Sequence, residues 1–234
     1  ADQGKYAEAE PLYQRALAIT EKALGPDHPD VAMSLHLLAA LYFVQGQHQR
    51  AEPLFRRSLA IREKALGPDH IEVATTLYFL GAMAYQLGRS AEAEPLLRRS
   101  LAIREKALGP DHLELVSIIN MLALLARDQG RYPQAEAGFR RALAILEKAL
   151  GPRHPGLAAS LSNLAELYVY QANYARAAPL YQRALAIQEK ALNPEHPSLA
   201  AGLAALAALH FAEGKYHQAE PLYQWALTLQ RKSL

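Results

Sequence analysis

Five histidines, His28, His70, His112, His154 and His196, recur at steps of 42 residues. The imidazole ring is a common metal ligand and the side chain best suited to proton transfer near neutral pH. Their spacing speaks against a metal site. Successive loops in a helical array lie at least one helix spacing apart, roughly 10 Å, whereas zinc ligands gather about 2 Å from a single ion. A repeated loop role is expected instead, with the ring packed or bonded to backbone, and no metal or other cofactor is expected. The doublets Arg56-Arg57, Arg98-Arg99 and Arg140-Arg141 suggest a basic stripe. However, Glu52, Glu94 and Glu136 precede the first arginine of each by four residues, the favourable order and spacing for helical ion pairs. A solvated outer face is the better account, because binding nucleic acid needs an uncompensated basic patch. The chain has no cysteine. It also lacks a P-loop, a Gly-x-Ser-x-Gly elbow and a His-Glu-x-x-His helix motif. Its acidic residues and histidines recur with the repeat rather than converge, so a non-enzymatic chain is expected.

The elements that carry these residues follow from the same period. Gly4, Gly46, Gly88, Gly130 and Gly214 form one ladder, and Gly25, Gly67, Gly109 and Gly151 form a second, together nine of the 13 glycines. The 234 residues therefore divide into about five and a half units of one array. In the unit 29–66, Val31, Leu35, Leu38, Ala39 and Tyr42 recur at helical spacing up to Gly46, which defines a helix A. A second stripe, Ala51, Leu54, Phe55, Ser58, Leu59, Ala65 and Leu66, runs to Gly67 and defines a helix B. The chain parses as a lone helix B over 5–24 and five A-B pairs over 29–66, 71–108, 113–150, 155–192 and 197–234. About eleven helices result, and the fold class is all-α. Small residues at Ala39, Gly81, Ala123, Ala165 and Ala207, facing Ala51, Ala93, Ala135, Ala177 and Ala219, should let A and B approach closely. Prolines 11, 53, 95, 179 and 221 fall inside helix B and should loosen its first turn. Pro29, Pro155 and Pro197 suit the first helical position.

The order small-x-x-Tyr, Gly, Tyr-x-x-Ala, aromatic, Ala resembles the tetratricopeptide repeat (TPR). It is carried by Leu164, Ala165, Tyr168, Tyr174, Ala177, Tyr181 and Ala184, and again by Leu206, Ala207, Gly214, Tyr216, Ala219, Tyr223 and Ala226. The 42-residue period, the string AEPLYQRALAI at 9–19 and the linker GPDHP at 25–29 are similar to the longer repeats of kinesin light chains and related bacterial arrays. Departures are local: Ala84, Ala126 and His210 replace the helix A tyrosine, Ala172 replaces the turn glycine, and Ala137 and Ala178 break the Glu-Pro pair. The resemblance implies a right-handed superhelical solenoid of antiparallel helix pairs, whose concave groove, lined by helices A, binds a peptide segment of a partner protein.

By helical phase, the groove positions include His36, Phe43, Tyr78, Tyr85, Asn120, Arg127, Asn163, Tyr170 and Phe211. Few of the groove positions are charged, and Arg127 alone could grip a carboxylate. A ligand with apolar or aromatic anchors is therefore expected. Asn120 and Asn163 resemble the paired asparagines with which kinesin light chains bond ligand backbone, and an amide both donates and accepts; the alternative is a merely polar helix surface. For the aromatic residues the alternative is packing between adjacent helices A.

Trp225 aligns with Arg15, Arg57, Arg99, Arg141 and Arg183, so an indole stands where the other units carry a charge. The chain enters mid-repeat, and its terminal helices lack covering neighbours. Either further sequence or self-association through the array ends is expected to cover Trp225, and an assembly module is the alternative to a peptide binder. Net charge is +2, with 51% hydrophobic and 21% charged residues, which points to neither disorder, nucleic acid nor membrane. Absence of cysteine fits a reducing compartment, so a cytoplasmic location is expected.

Overall fold

The computed structural model describes residues 3–193 and 195–231; the last residues of the final repeat unit lie outside them. Among the described residues it contains eleven α-helices and no strand. These are α1 (Gln3–Leu24), α2 (Pro29–Val44), α3 (His48–Leu66), α4 (Ile71–Gln86), α5 (Ser90–Leu108) and α6 (Leu115–Asp128). They continue with α7 (Tyr132–Leu150), α8 (Leu157–Tyr170), α9 (Tyr174–Ala191), α10 (Leu199–Ala212) and α11 (Tyr216–Arg231). Odd-numbered helices are of type B and even-numbered helices of type A. The chain divides into two compact units, Ala1–Met121 and Leu122–Leu234.

Helix boundaries follow local chemistry. Each loop histidine accepts a hydrogen bond at Nδ1 from the backbone N–H two residues on, at 3.2 Å for His28, 3.3 Å for His70, 3.3 Å for His112, 3.0 Å for His154 and 3.2 Å for His196. The imidazole thus satisfies an amide that the first helical turn leaves unpaired. Pro29 opens α2, whereas Pro155 and Pro197 precede α8 and α10 by two residues. There the chain first closes three-residue turns, Leu157 N–H to His154 O at 3.0 Å and Leu199 N–H to His196 O at 3.1 Å. Helices α1, α3, α5, α9 and α11 each run unbroken through their internal proline. One missing amide bond does not interrupt a helix whose stripe is held by its neighbours.

In the first unit, the A helices α2 and α4 are each buried both by their own helix B and by the one before it. Val31, Ala32 and Leu35 of α2 pack with Ile61 of α3 and Leu17 of α1. Val73, Ala74 and Leu77 of α4 pack with Ile103 of α5 and Leu59 of α3. Ser58 and Ser100, both fully buried, donate to the carbonyls of Ala32 (2.7 Å) and Ala74 (2.6 Å) on their own helices A. Ala39, Ala51 and Ala93 are sealed from solvent. At Gly81 even a methyl group would be too large, because a Cβ would stand 2.7 Å from Leu97 Cγ. In the second unit the same seam is made by Ala135, Ala165, Ala177, Ala207 and Ala219, with Phe139, Leu161, Leu164, Leu203 and Leu206 filling the layers around it.

The structure corrects the placement of His36. Only 7% exposed, it stands edge-on to Phe55 (5.2 Å) and Phe79 (5.1 Å). Helical phase marks residue 36 as a groove position, but Phe55 of α3 and Phe79 of α4 together enclose its ring. Burial, with a smaller contribution from the charge of Arg62, lowers its pKa to about 4.

The turn glycines Gly46, Gly88, Gly130 and Gly214 have φ between 72° and 75°, and Ala172 takes the equivalent place at φ 54°. A left-handed conformation strains a residue with a Cβ, so Ala172→Gly should raise unfolding free energy by about 1 kcal/mol in urea titrations. For His36, the unfolded state binds a proton below an ordinary pKa near 6.5 while the folded state resists until about 4. Its stability contribution is therefore complete above pH 6.5 and lost as pH falls towards 4, by up to about 3 kcal/mol. His36→Phe should flatten the pH dependence of the urea midpoint over that window; an unchanged slope would refute the assignment.

Candidate functional site

In the first unit, the A-helix face turned away from helices B carries Met33, 42% exposed, together with half-buried Phe43, Tyr78 and Tyr85. Phe43 and Tyr78 are tied to the core through Phe79, with ring centroids 5.8 and 5.6 Å away. Asn120 is half-buried on α6. Beneath this face lie two arginines that pattern reading did not single out. Arg62, 2% exposed, donates through Nη1 to Glu72 O (3.0 Å) and Thr76 Oγ1 (2.8 Å), and its Nε lies 3.3 Å from the Glu72 carboxylate. Burial lowers its pKa. Arg104 pairs with Glu114 at 2.6 Å and donates to Thr75 Oγ1 at 2.9 Å. The signal for them was present: corresponding positions in other repeats are Thr20, Leu146, Gln188 and Gln230, so two adjacent repeats place a cation on a stripe otherwise neutral.

In the second unit, Arg127 is engaged within the chain itself. It pairs with Glu166 at 2.8 Å and Asp128 at 2.9 Å, and its guanidinium lies 4.9 Å from the Tyr170 ring centre. With its side chain 12% exposed, it is not poised to grip a free carboxylate. Tyr170 and Phe211 are well exposed, at 59% and 58%, and Phe211 leans edge-on against Tyr216 at 5.2 Å. Asn163 is half-buried and lines an open pocket of about 220 Å³ together with Ser162, Glu166, Tyr181 and Gln188. The Tyr181 hydroxyl is pushed up to about pKa 12, first by burial and then by the Glu166 charge.

The opposite, B-helix face holds repeats together. In the first unit Tyr42 donates to Glu10 at 3.0 Å, and Arg50 donates to both, at 2.5 Å to the tyrosine oxygen and 2.6 Å to the carboxylate. The bond from Arg50 holds the Glu10 carboxyl below its usual range. Tyr168, Glu136, Arg176 and Arg140 repeat this arrangement in the second unit. Where Ala84 replaces the tyrosine, Arg56–Glu92 (2.5 Å) and Arg89–Glu52 (3.1 Å) link α3 to α5 directly.

The arginine doublets divide their labour. Arg56, Arg98 and Arg140 pair with Glu52, Glu94 and Glu136 within their own helices. Arg57 and Arg99 instead reach the preceding helix B, as does Arg183, which follows Gln182 rather than an arginine; they pair with Glu21 (2.6 Å), Glu63 (2.6 Å) and Glu147 (2.7 Å). Each also donates to a loop carbonyl, that of Pro26, Pro68 or Pro152. Trp225, 37% exposed on α11, stands in the place of these ties, flanked by exposed Tyr223 and Leu227. Among the described residues no group of three histidines or carboxylates could hold a metal ion, and no helix is long and apolar enough to cross a membrane.

A model of the tetratricopeptide repeat matches the chain over residues 1–64, 31–106, 72–137, 114–190 and 171–232. The structure is similar to BtubC (BKLC) from P. vanneervenii, with TM-score 0.79 and 21% identity, over 100% of this chain and 92% of that one. It is also similar to a kinesin light chain-type protein of Podosopora anserina with nearly identical TPR-like repeats, with TM-score 0.74 and 30% identity, over 88% of this chain and 98% of that one. The fold is shared with aspartyl phosphate phosphatase F from Bacillus subtilis, with TM-score 0.76 and 18% identity, over 92% of this chain and 55% of that one. A search of curated protein sequences finds no match. Repeats of this kind generally form non-catalytic scaffolds for protein partners. The recurring small-residue seam, tyrosine-centred ties and matched family model together establish that this chain belongs to the tetratricopeptide repeat family.

Proposed function

We propose that the chain is a protein-protein interaction scaffold whose A-helix face holds a peptide segment of a partner. The observation that carries this reading is the exposure of Tyr170 and Phe211 on helices whose other faces are buried. Large rings at more than half exposure are anchors that an apolar or aromatic ligand residue can cover. Asn163, which lines an open pocket, adds a side-chain amide able to donate to and accept from a ligand peptide bond, whereas the Asn120 Oδ1 is buried. The engagement of Arg127 with Glu166 and Asp128 disfavours a ligand held by its terminal carboxylate. Peptides selected from a random phage-displayed library on the wild-type chain should lose at least tenfold in affinity for the combined variant Tyr85→Ala, Asn120→Ala, Asn163→Ala. Far-UV circular dichroism should show helicity retained; unchanged affinity with unchanged helicity would sink the reading.

A second reading, self-association through α11, is favoured by the exposed run of Tyr223, Trp225 and Leu227. It requires a sedimentation mass that rises with concentration for the wild type and not for Trp225→Arg, the residue found at that register elsewhere. A constant monomer mass would exclude it.

A further inference from the structure

The pocket in the second unit has a filled counterpart in the first. Its lining residues stand 126 positions, three repeats, beyond a set on α2, α3 and α4. His36, Phe79, Arg62 and Met33 of that set correspond to Ser162, Ala205, Gln188 and Ala159 in the pocket. In the first unit the slot is solid: His36 lies between Phe55 and Phe79, and Arg62 is buried with Nη1 on Thr76 and Nη2 3.7 Å from Met33 Sδ. In the second unit those four positions shrink together, and about 220 Å³ stands open between α8, α9 and α10. Gly202 takes the place of Thr76, and its missing side chain leaves room for Gln188, whose Oε1 would lie 3.1 Å from a Cβ there.

The walls also change chemistry. Three positions that are apolar in the first unit, Leu37, Ala40 and Phe55, become Asn163, Glu166 and Tyr181. The lining then offers a carboxylate, two amide oxygens, a serine hydroxyl and a phenol, and includes no cationic side chain. Glu166 has Arg127 as a neighbour, but Arg127 is shared with Asp128, so the three charges sum to one negative. The group remains 51% exposed on its side chain, accessible to a second cation.

Resting on the A-helix reading above, we infer that this pocket seats an arginine side chain of the bound partner. A guanidinium is flat, rich in donors and weakly hydrated, and it fits a carboxylate and amide oxygens while stacking on an aromatic ring. The chain supplies its own precedent, since the equivalent slot of the first repeat is filled from within by the guanidinium of Arg62. An ammonium group would meet the charge but neither fill the slot nor lie against Tyr181.

The test uses the whole chain, labelled with nitrogen-15 and titrated with N-acetyl-arginine methylamide. Saturable shifts should appear at the amides of Ser162, Asn163, Gly202 and Ala205. The citrulline analogue, isosteric but neutral, should bind at least tenfold more weakly, as should the arginine probe to Glu166→Gln. Ala205→Phe, which restores the ring found at Phe79, should abolish the shifts; Glu166→Gln, a change at an exposed side chain, carries the test if that variant fails to fold. Absence of saturable shifts, or equal affinity for the citrulline probe, overturns the inference. Failure of the two readings is distinguishable. If the groove alone fails, the probe still shifts these amides while no selected peptide responds to Tyr85→Ala with Asn120→Ala. If the pocket alone fails, selected peptides respond to that pair but not to Glu166→Gln.

Discussion

A helix pair of this chain cannot bury its own apolar stripe, and this constraint organises both compact units. Leu17 of α1 is needed to cover Val31 of α2, and Leu59 of α3 to cover Val73 of α4. Burial of this kind requires the A and B axes to approach closely, which explains the seam of alanines and the one position, Gly81, where Leu97 excludes even a methyl group. Larger side chains there would separate the helices and expose the layers on both sides, because tightly packed interiors tolerate little added volume. The seam is therefore a condition for every other contact, including those that shape the A-helix face.

Polar interactions set the register of what the seam brings together. Tyr42 with Glu10 and Arg50, and Tyr168 with Glu136 and Arg176, join the helices of neighbouring repeats. Arg57, Arg99 and Arg183 each tie a preceding helix B and a loop carbonyl. Each exposed pair adds little stability by itself, but a bond to both a carboxylate and a carbonyl is directional. The loop histidines act at the same joints, with the acceptor nitrogen directed to the amides that open the next helix.

Much of this was legible in the residues. Glycine ladders located the turns, helical spacing located the stripes, and the four-residue Glu-Arg offset anticipated the pairs at Arg56, Arg98 and Arg140. What escaped depends on partners one repeat away. The phase of His36 marked it as accessible, but its burial is completed by Phe79, 43 residues later. Arg57 and Arg99 do stand on an exposed face, but their partners Glu21 and Glu63 lie 36 residues earlier, beyond the reach of a four-residue offset. The second-unit pocket was harder still, since no single residue encodes it. It exists because Ala159, Ser162, Gln188 and Ala205 are all smaller than their counterparts, and a space is a property of the set. The A-helix aromatics were legible as positions, while their unequal exposure, from half-buried Tyr78 to open Tyr170, needed the neighbouring side chains.

The side-chain bonds between repeats described above span 10 to 40 residues of chain. Such separations are short for tertiary contacts, so the entropic cost of closing each loop stays small. Ordering can then begin at any helix pair and spread to its neighbour, and loosening can begin at a pair whose turn is strained, as at Ala172, without first disrupting distant pairs. Folding speed and local fraying in this chain are thus governed by the weakest adjoining joint rather than by the molecule as a whole.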